Sequence, residues 1–242
     1  MFEYEDIKIN YEEYNPKGKE SIIYLHGWGQ NIEMMKPIAL PFKDTHHVVI
    51  IDLPGFGSSE EPKTIWQLSD YVKMIKALVD KLKLKNITIV GHSFGGKLAI
   101  MYASEYKVDK LVLLASPYKK KIKELTTKQK ILKGLKKVPL LNKLSNIAKN
   151  YIGSTDYKNA TTMMRDILVA HVNTDLKNTV KKINCPTLLI WGTNDEAVPY
   201  EDGQELEHLI KGSGLVTYEG CTHYAYLERL NQTISVLKSF LS

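Results

Sequence analysis

One hexapeptide constrains the fold more than any other stretch of this chain. Gly91-His92-Ser93-Phe94-Gly95-Gly96 follows an apolar, β-branched run, Ile87-Thr88-Ile89-Val90, and leads into an apolar helical stretch from Lys97. A serine spaced G-x-S-x-G between a strand and a helix marks a tight elbow that holds the serine in a strained conformation. Gly91 and Gly95 fit such a turn because side chains there would clash with the neighbouring strand and helix. The turn lifts Ser93 Oγ above the sheet and faces it toward backbone N–H groups that open a helix. Two other readings use the same residues. One is an ordinary glycine-rich turn. The other is a phosphate-binding loop, since Gly91 to Lys97 also spells G-x-x-x-x-G-K. That loop needs Ser or Thr next, to hold magnesium, and the chain has Leu98. The rest of the sequence favours the elbow, because it supplies partners for a nucleophilic serine in a matching order.

Apolar runs alternate with amphipathic helical patterns, which predicts a parallel sheet covered by helices on both faces. Strands are expected at Ser21–Leu25, Val48–Asp52, Ile87–Gly91, Lys110–Ala115, Thr187–Gly192 and Leu215–Glu219. Most are short and continuously apolar, as buried parallel strands are. The first twenty residues alternate more and contain Asn15-Pro16-Lys17-Gly18, which suggests an antiparallel hairpin at the sheet edge. Helices are expected at Leu68–Leu82, Phe94–Tyr106, Tyr200–Lys211 and Tyr224–Leu241.

About seventy residues separate the strands ending at Ala115 and starting at Thr187, far more than an ordinary connection in such a fold. Helical patterns fill this stretch at Ile122–Lys137, Leu141–Asn150 and Tyr157–Asn173. It reads as a helical cap at 117–185, inserted into a core made of 1–116 and 186–242.

The 242 residues suffice for one substantial core. No apolar run approaches the length of a membrane span. The acidic N-terminus, Met1 to Asp6, lacks the basic and apolar regions of a signal peptide, so the expected location is cytoplasmic. Cys185 and Cys221 form no disulfide framework and lack metal-site spacing. They read as reduced, partly buried thiols. Between Tyr118 and Lys149 there are eleven lysines against one acidic residue, Glu124, in a chain whose net charge is +6. The excess positive charge therefore belongs to one segment. The lysines lack interleaved aromatics, which argues against nucleic-acid binding.

A serine hydroxyl needs a general base and a third group to orient that base. Of seven histidines, His223 stands in the turn Gly220-Cys221-Thr222-His223 after the last strand, where it would overhang Ser93. His92 should point away across the elbow. His46 and His47 precede a strand and read as solvent-facing, whereas His171 and His208 read as surface or satisfied core positions on helices. The acid candidate is Asp195, in the loop Gly192-Thr193-Asn194-Asp195-Glu196, with Glu196 as its local rival. An oxyanion would take one N–H from Phe94 and one from Trp28, in His26-Gly27-Trp28-Gly29. The order Ser93, Asp195, His223 is that of a strand–elbow–helix hydrolase.

His26–Gly29, Asp52–Ser59, Gly91–Gly96, Gly192–Pro199 and Gly220–Glu228 together resemble the α/β-hydrolase family. The resemblance implies an eight-stranded, mostly parallel sheet with its second strand antiparallel, and a cap inserted after the sixth. It also implies that Asp52–Ser59 lines the floor of the site in a mainly structural role. His26–Gln30 and Asp52–Ser59 are most similar to the pimeloyl-acyl-carrier-protein methyl ester esterases and their carboxylesterase relatives. Those enzymes use a small basic cap to receive an acidic carrier protein. The elbow departs from that group, with His92 and Phe94 in place of Trp and Leu.

The expected activity is hydrolysis of a small-molecule carboxylic ester through an acyl-enzyme on Ser93, with no metal or organic cofactor. Two alternatives use the same triad. One is an ester or thioester hydrolase that docks an acidic carrier protein on the lysine-rich cap. The other is carbon–carbon bond cleavage. Solvation is the plainer reading of the lysine run. Met163, Met164, Ile131, Leu132 and Leu135 are candidate acyl-pocket residues, with ordinary cap packing the plainer explanation.

Overall fold

The computed structural model describes residues 1–120, 160–172 and 174–242. Its centre is a seven-stranded sheet built from β3 (Tyr11–Tyr14), β4 (Ser21–Leu25), β5 (His47–Ile51), β6 (Ile87–His92), β7 (Lys110–Leu114), β8 (Thr187–Gly192) and β9 (Ser213–Tyr218). The strand order is β3-β5-β4-β6-β7-β8-β9, and only the edge strand β3 is antiparallel to its neighbour. Strands β1 (Phe2–Tyr4) and β2 (Ile7–Ile9) form a separate antiparallel ribbon.

This differs from the expected eight strands and from a hairpin turning at Asn15–Gly18. The N-terminal hairpin turns instead at Glu5 and Asp6, both with positive φ, as a tight two-residue turn requires. The backbone of Lys8 is then taken by Glu60: Lys8 N–H donates to the Glu60 carboxylate, and Lys8 C=O accepts from Glu60 N–H. Those groups are not available to extend the main sheet.

Side-chain alternation explains the layers. Ile23, Leu25, Val49, Ile51, Leu113 and Trp191 pack into one core with α2 (Leu68–Leu82) and α3 (Phe94–Glu105). Ile22, Tyr24, Val48, Ile50, Val112 and Ile190 pack into a second core on the opposite face, with α1 (Ile32–Ala39) and the C-terminal helix. Burial on both faces leaves no polar alternation, hence the continuous apolar runs. Helix α1 carries Pro37 in its interior, a residue that ordinarily breaks a helix, and escapes prediction. The remaining helices are α4 (Thr162–Val172), α5 (Lys177–Val180), α6 (Tyr200–Leu209), α7 (Ala225–Glu228) and α8 (Leu230–Leu241). The single helix expected over Tyr224–Leu241 breaks at Arg229, whose φ of −117° and ψ of 45° are not helical.

Helices α4 and α5 lie between β7 and β8 in sequence. The patterns at Ile122–Lys137 and Leu141–Asn150, and all but the first two lysines of the basic run, fall outside the described residues. No helix among the described residues is long and apolar enough to cross a membrane.

Candidate functional site

The chain runs from β4 outward to β5 and then back to β6 on the other side of β4. Such a reversal opens a crevice beyond the carboxyl ends of the strands. The loop after β4 and the elbow after β6 meet there.

Ser93 adopts φ 50° and ψ −109°, outside the regions open to an unstrained residue. Its N–H is anchored to Leu114 C=O at 3.0 Å, and its C=O accepts from Lys97 N–H at 3.2 Å. Glycine is required on either side by close approach. A Cβ on Gly91 would lie 2.5 Å from Gly95 C=O, and one on Gly95 would strike the carbonyl oxygens of Leu25 and His26. Gly95 N–H instead donates to His26 C=O at 3.1 Å, so the elbow is fastened to the end of β4.

The His26–Gly29 loop is held from beneath. His26 is wholly buried, with Nδ1 donating to Gly27 C=O at 2.7 Å and Nε2 accepting from Leu53 N–H at 2.9 Å. Each ring nitrogen has a partner only in the neutral form, and burial drives the pKa down to about 4. The Trp28 ring stands edge-on to Phe56 and Phe94, with centroids 4.8 and 5.3 Å apart. The N–H groups of Trp28 and Phe94 enter no hydrogen bond among the described residues. Asp52 acts as a junction below: its carboxylate accepts from Ile32 N–H, Ser58 N–H and the Asn10 amide at 2.8, 2.9 and 2.8 Å.

The loops after β8 and β9 are stitched together. Asn194 N–H donates to Cys221 C=O at 2.9 Å, and Gly220 N–H donates to Thr193 Oγ1 at 2.8 Å. Gly192 lies so close to Cys221 and Thr222 that a Cβ would strike their carbonyls. The stitching delivers Asp195 to His223, whose Nδ1 lies 2.8 Å from Asp195 Oδ2. Asp195 Oδ1 accepts from Ala197 N–H and Val198 N–H, both at 2.8 Å. Glu196, the rival acid, is exposed.

Ser93, His223, Trp28 and Phe94 line a single cavity of about 310 Å³. Asp195 stands behind His223. No hydrogen bond joins Ser93 Oγ to His223 among the described residues; such contacts commonly tighten only around substrate. Helix α4 contributes Leu168, His171 and Val172 to the wall. Met164, a candidate acyl-pocket residue, is buried against Gly55, and Met163 packs on the core, as the plainer packing reading has it. Ile131, Leu132 and Leu135 lie outside the described residues.

Two histidines, His47 and His171, differ from their sequence reading. His47 opens β5, is 4% exposed and meets Glu13 at 2.7 Å, because the strand begins one residue early. His171 is 2% exposed and neither ring nitrogen has a partner among the described residues, which fits neither a surface position nor a satisfied core one. His92 lies under His223: Nε2 is 3.1 Å from His223 C=O, Nδ1 is 3.2 Å from Gln30 Oε1, and the ring centroid is 4.8 Å from that of His223. Complete burial lowers its pKa to about 3.

Lys97 was read only as the lysine of a phosphate-binding pattern, not as part of this site. It lines the same cavity, is 6% exposed, and donates to His171 C=O at 2.9 Å. Its place among small and apolar residues of α3 gave no sign of that contact. Both cysteines are free and buried.

Comparison with known proteins agrees with this architecture. Residues 20–139 match the family described as alpha/beta hydrolase fold, and residues 154–242 match the one described as TAP-like protein. The AB hydrolase superfamily protein YisY of Bacillus subtilis is 29% identical, over 90% of this chain and 90% of that protein. The 2-hydroxy-6-oxononadienedioate/2-hydroxy-6-oxononatrienedioate hydrolase 1 of Pseudomonas putida is 27% identical, over 98% of this chain and 93% of its own. Among solved structures, an esterase from Exiguobacterium antarcticum superposes with a TM-score of 0.78 at 21% identity, covering 97% of this chain and 95% of the esterase. With its elbow at the switch point of a parallel sheet, this chain belongs to the α/β-hydrolase family.

Proposed function

We propose that the protein is a serine hydrolase that cleaves a carboxylic ester through an acyl-enzyme on Ser93. One observation carries the reading: the strained Ser93 shares a cavity with His223, whose Nδ1 is bonded to a buried carboxylate. Asp195 accepts a hydrogen bond from Nδ1–H, which keeps the proton there and leaves Nε2 as the base. His223 takes the Ser93 proton as Oγ attacks the ester carbonyl. Trp28 and Phe94 N–H groups receive the oxyanion. The imidazolium then protonates the departing alcohol. Water attacks the acyl-enzyme by the same route, and the acid leaves. Leu168, His171 and Val172 enclose the cavity from the segment between β7 and β8, which supports reading 117–185 as a lid over a core of 1–116 and 186–242.

The test is turnover of p-nitrophenyl acetate through decanoate by wild type and Ser93→Ala side by side. A loss of several orders of magnitude in the variant is expected; equal turnover would sink the mechanism.

A second reading is carbon–carbon bond hydrolysis by the same residues. It is favoured by the Pseudomonas putida relative, named for a 2-hydroxy-6-oxo dioate substrate. Ser93-dependent bleaching of a 2-hydroxy-6-oxodienoate, with no turnover of any ester, would select it.

A further inference from the structure

Lys97 and His171 have no part in the steps above, yet both are built into the cavity where those steps occur. Lys97 sits one turn beyond Ser93 on α3. Helical side chains lean toward the N-terminus of their helix, so its ammonium is directed back toward the serine. One of its three N–H donors reaches His171 C=O, in the last turn of α4, where the helix dipole is negative. The other two donors have no partner among the described residues, and no carboxylate pairs with the ammonium there.

His171 adds to the same demand. Its ring packs against Tyr71 and Phe94, with centroids 5.7 and 5.3 Å away, while both nitrogens stay buried and have no partner among the described residues. Burying an uncompensated cation and an unsatisfied imidazole is unfavourable. Leucine and methionine would line an apolar acyl pocket without that cost. The one carboxylate close to the catalytic histidine, Asp195, is already bound by His223, Ala197 and Val198. The cavity therefore presents a cation with spare donors and no free anion among the described residues.

We infer that Lys97 and His171 form a subsite for a carboxylate carried by the substrate, so that the preferred ester is a half-ester of a dicarboxylic acid. The placement of the scissile bond rests on the ester-hydrolase reading; carboxylate binding does not.

The experiment has two arms. The first compares kcat/KM for mono-p-nitrophenyl esters of succinate, glutarate and adipate with that for p-nitrophenyl butyrate, in wild type and Lys97→Met. The second titrates the monomethyl and dimethyl esters of the same acids into Ser93→Ala and into Ser93→Ala/Lys97→Met by calorimetry. Wild type should prefer a half-ester, and the ratio of half-ester to neutral-ester kcat/KM should fall about 10- to 100-fold in Lys97→Met, as for a lost hydrogen bond to a charged group. Half-ester binding should weaken by a similar factor. An unchanged ratio, or half-esters bound no more tightly than dimethyl esters, overturns the subsite. Turnover that survives Ser93→Ala removes the hydrolase reading alone, since the titrations still decide carboxylate binding. Should Lys97→Met fail to fold, the half-ester against dimethyl-ester comparison in Ser93→Ala decides alone.

Discussion

Asp195 divides its carboxylate between two tasks: Oδ1 is fixed by the Ala197 and Val198 N–H groups, and Oδ2 faces His223 Nδ1 at 2.8 Å. The orientation of the group is therefore imposed by its own loop before the histidine arrives.

Replacing it as Asp195→Asn has a defined result. The amide oxygen must stay on the two backbone donors, so the NH₂ turns toward His223. Nδ1 then has to accept, the proton moves to Nε2, and the base is lost. The expected fall in kcat is about 10³- to 10⁴-fold with little change in KM. Imidazole ¹⁵N shifts should report the tautomer; a kcat within tenfold of wild type would contradict the assignment.

On the proposed mechanism His92 is a positioning residue, since it touches His223 and is not among the residues that line the cavity. Its Nε2 steadies the His223 carbonyl and its ring supports the imidazole from below. His92→Leu should lower kcat about 10-fold, the scale of one lost hydrogen bond, and move KM much less. An equal effect on both parameters points to general loosening instead.

Ser93→Gly separates strain from chemistry. Glycine adopts φ 50° without a side-chain penalty. The variant should be inactive yet more stable by about 1–2 kcal/mol, read from its urea midpoint. A destabilised Ser93→Gly would show that the serine conformation is not strained.

Acid should destabilise the fold through its buried neutral histidines. His26 and His92 have pKa values lowered by burial to about 4 and about 3. Between the unfolded value near 6.5 and these values, the unfolded chain binds protons that the folded one refuses. Stability is thus full above pH 6.5 and falls as pH drops toward 4, by on the order of 3 kcal/mol per histidine. Urea midpoints at pH 7 and 4.5 measure it.

The legible parts of this protein were those with short-range causes. Ser21–Leu25, Thr187–Gly192 and Leu68–Leu82 were read to the residue, since burial on both faces or on one helical stripe writes itself into a local pattern. The convergence of Ser93, Asp195 and His223 at one end of the sheet was legible because each lies just past a strand end, in a turn rich in glycine or small polar residues. What escaped depends on contacts between distant segments. The N-terminal ribbon is diverted by Glu60, and His47 is buried by Glu13 from the edge strand. Lys97 and His171 become neighbours only when α4 folds over α3; 74 positions separate them in the chain.

The β7–β8 ladder, Leu111 to Leu114 against Thr187 to Ile190, separates two kinds of inheritance. It joins the half that carries Ser93 to the half that carries Asp195 and His223, and among the described residues none from 117 to 185 takes part in its register. That intervening stretch can therefore lengthen, shrink or exchange its surface while Ser93 and His223 keep their distance. What the enzyme accepts can drift faster than what it does to it.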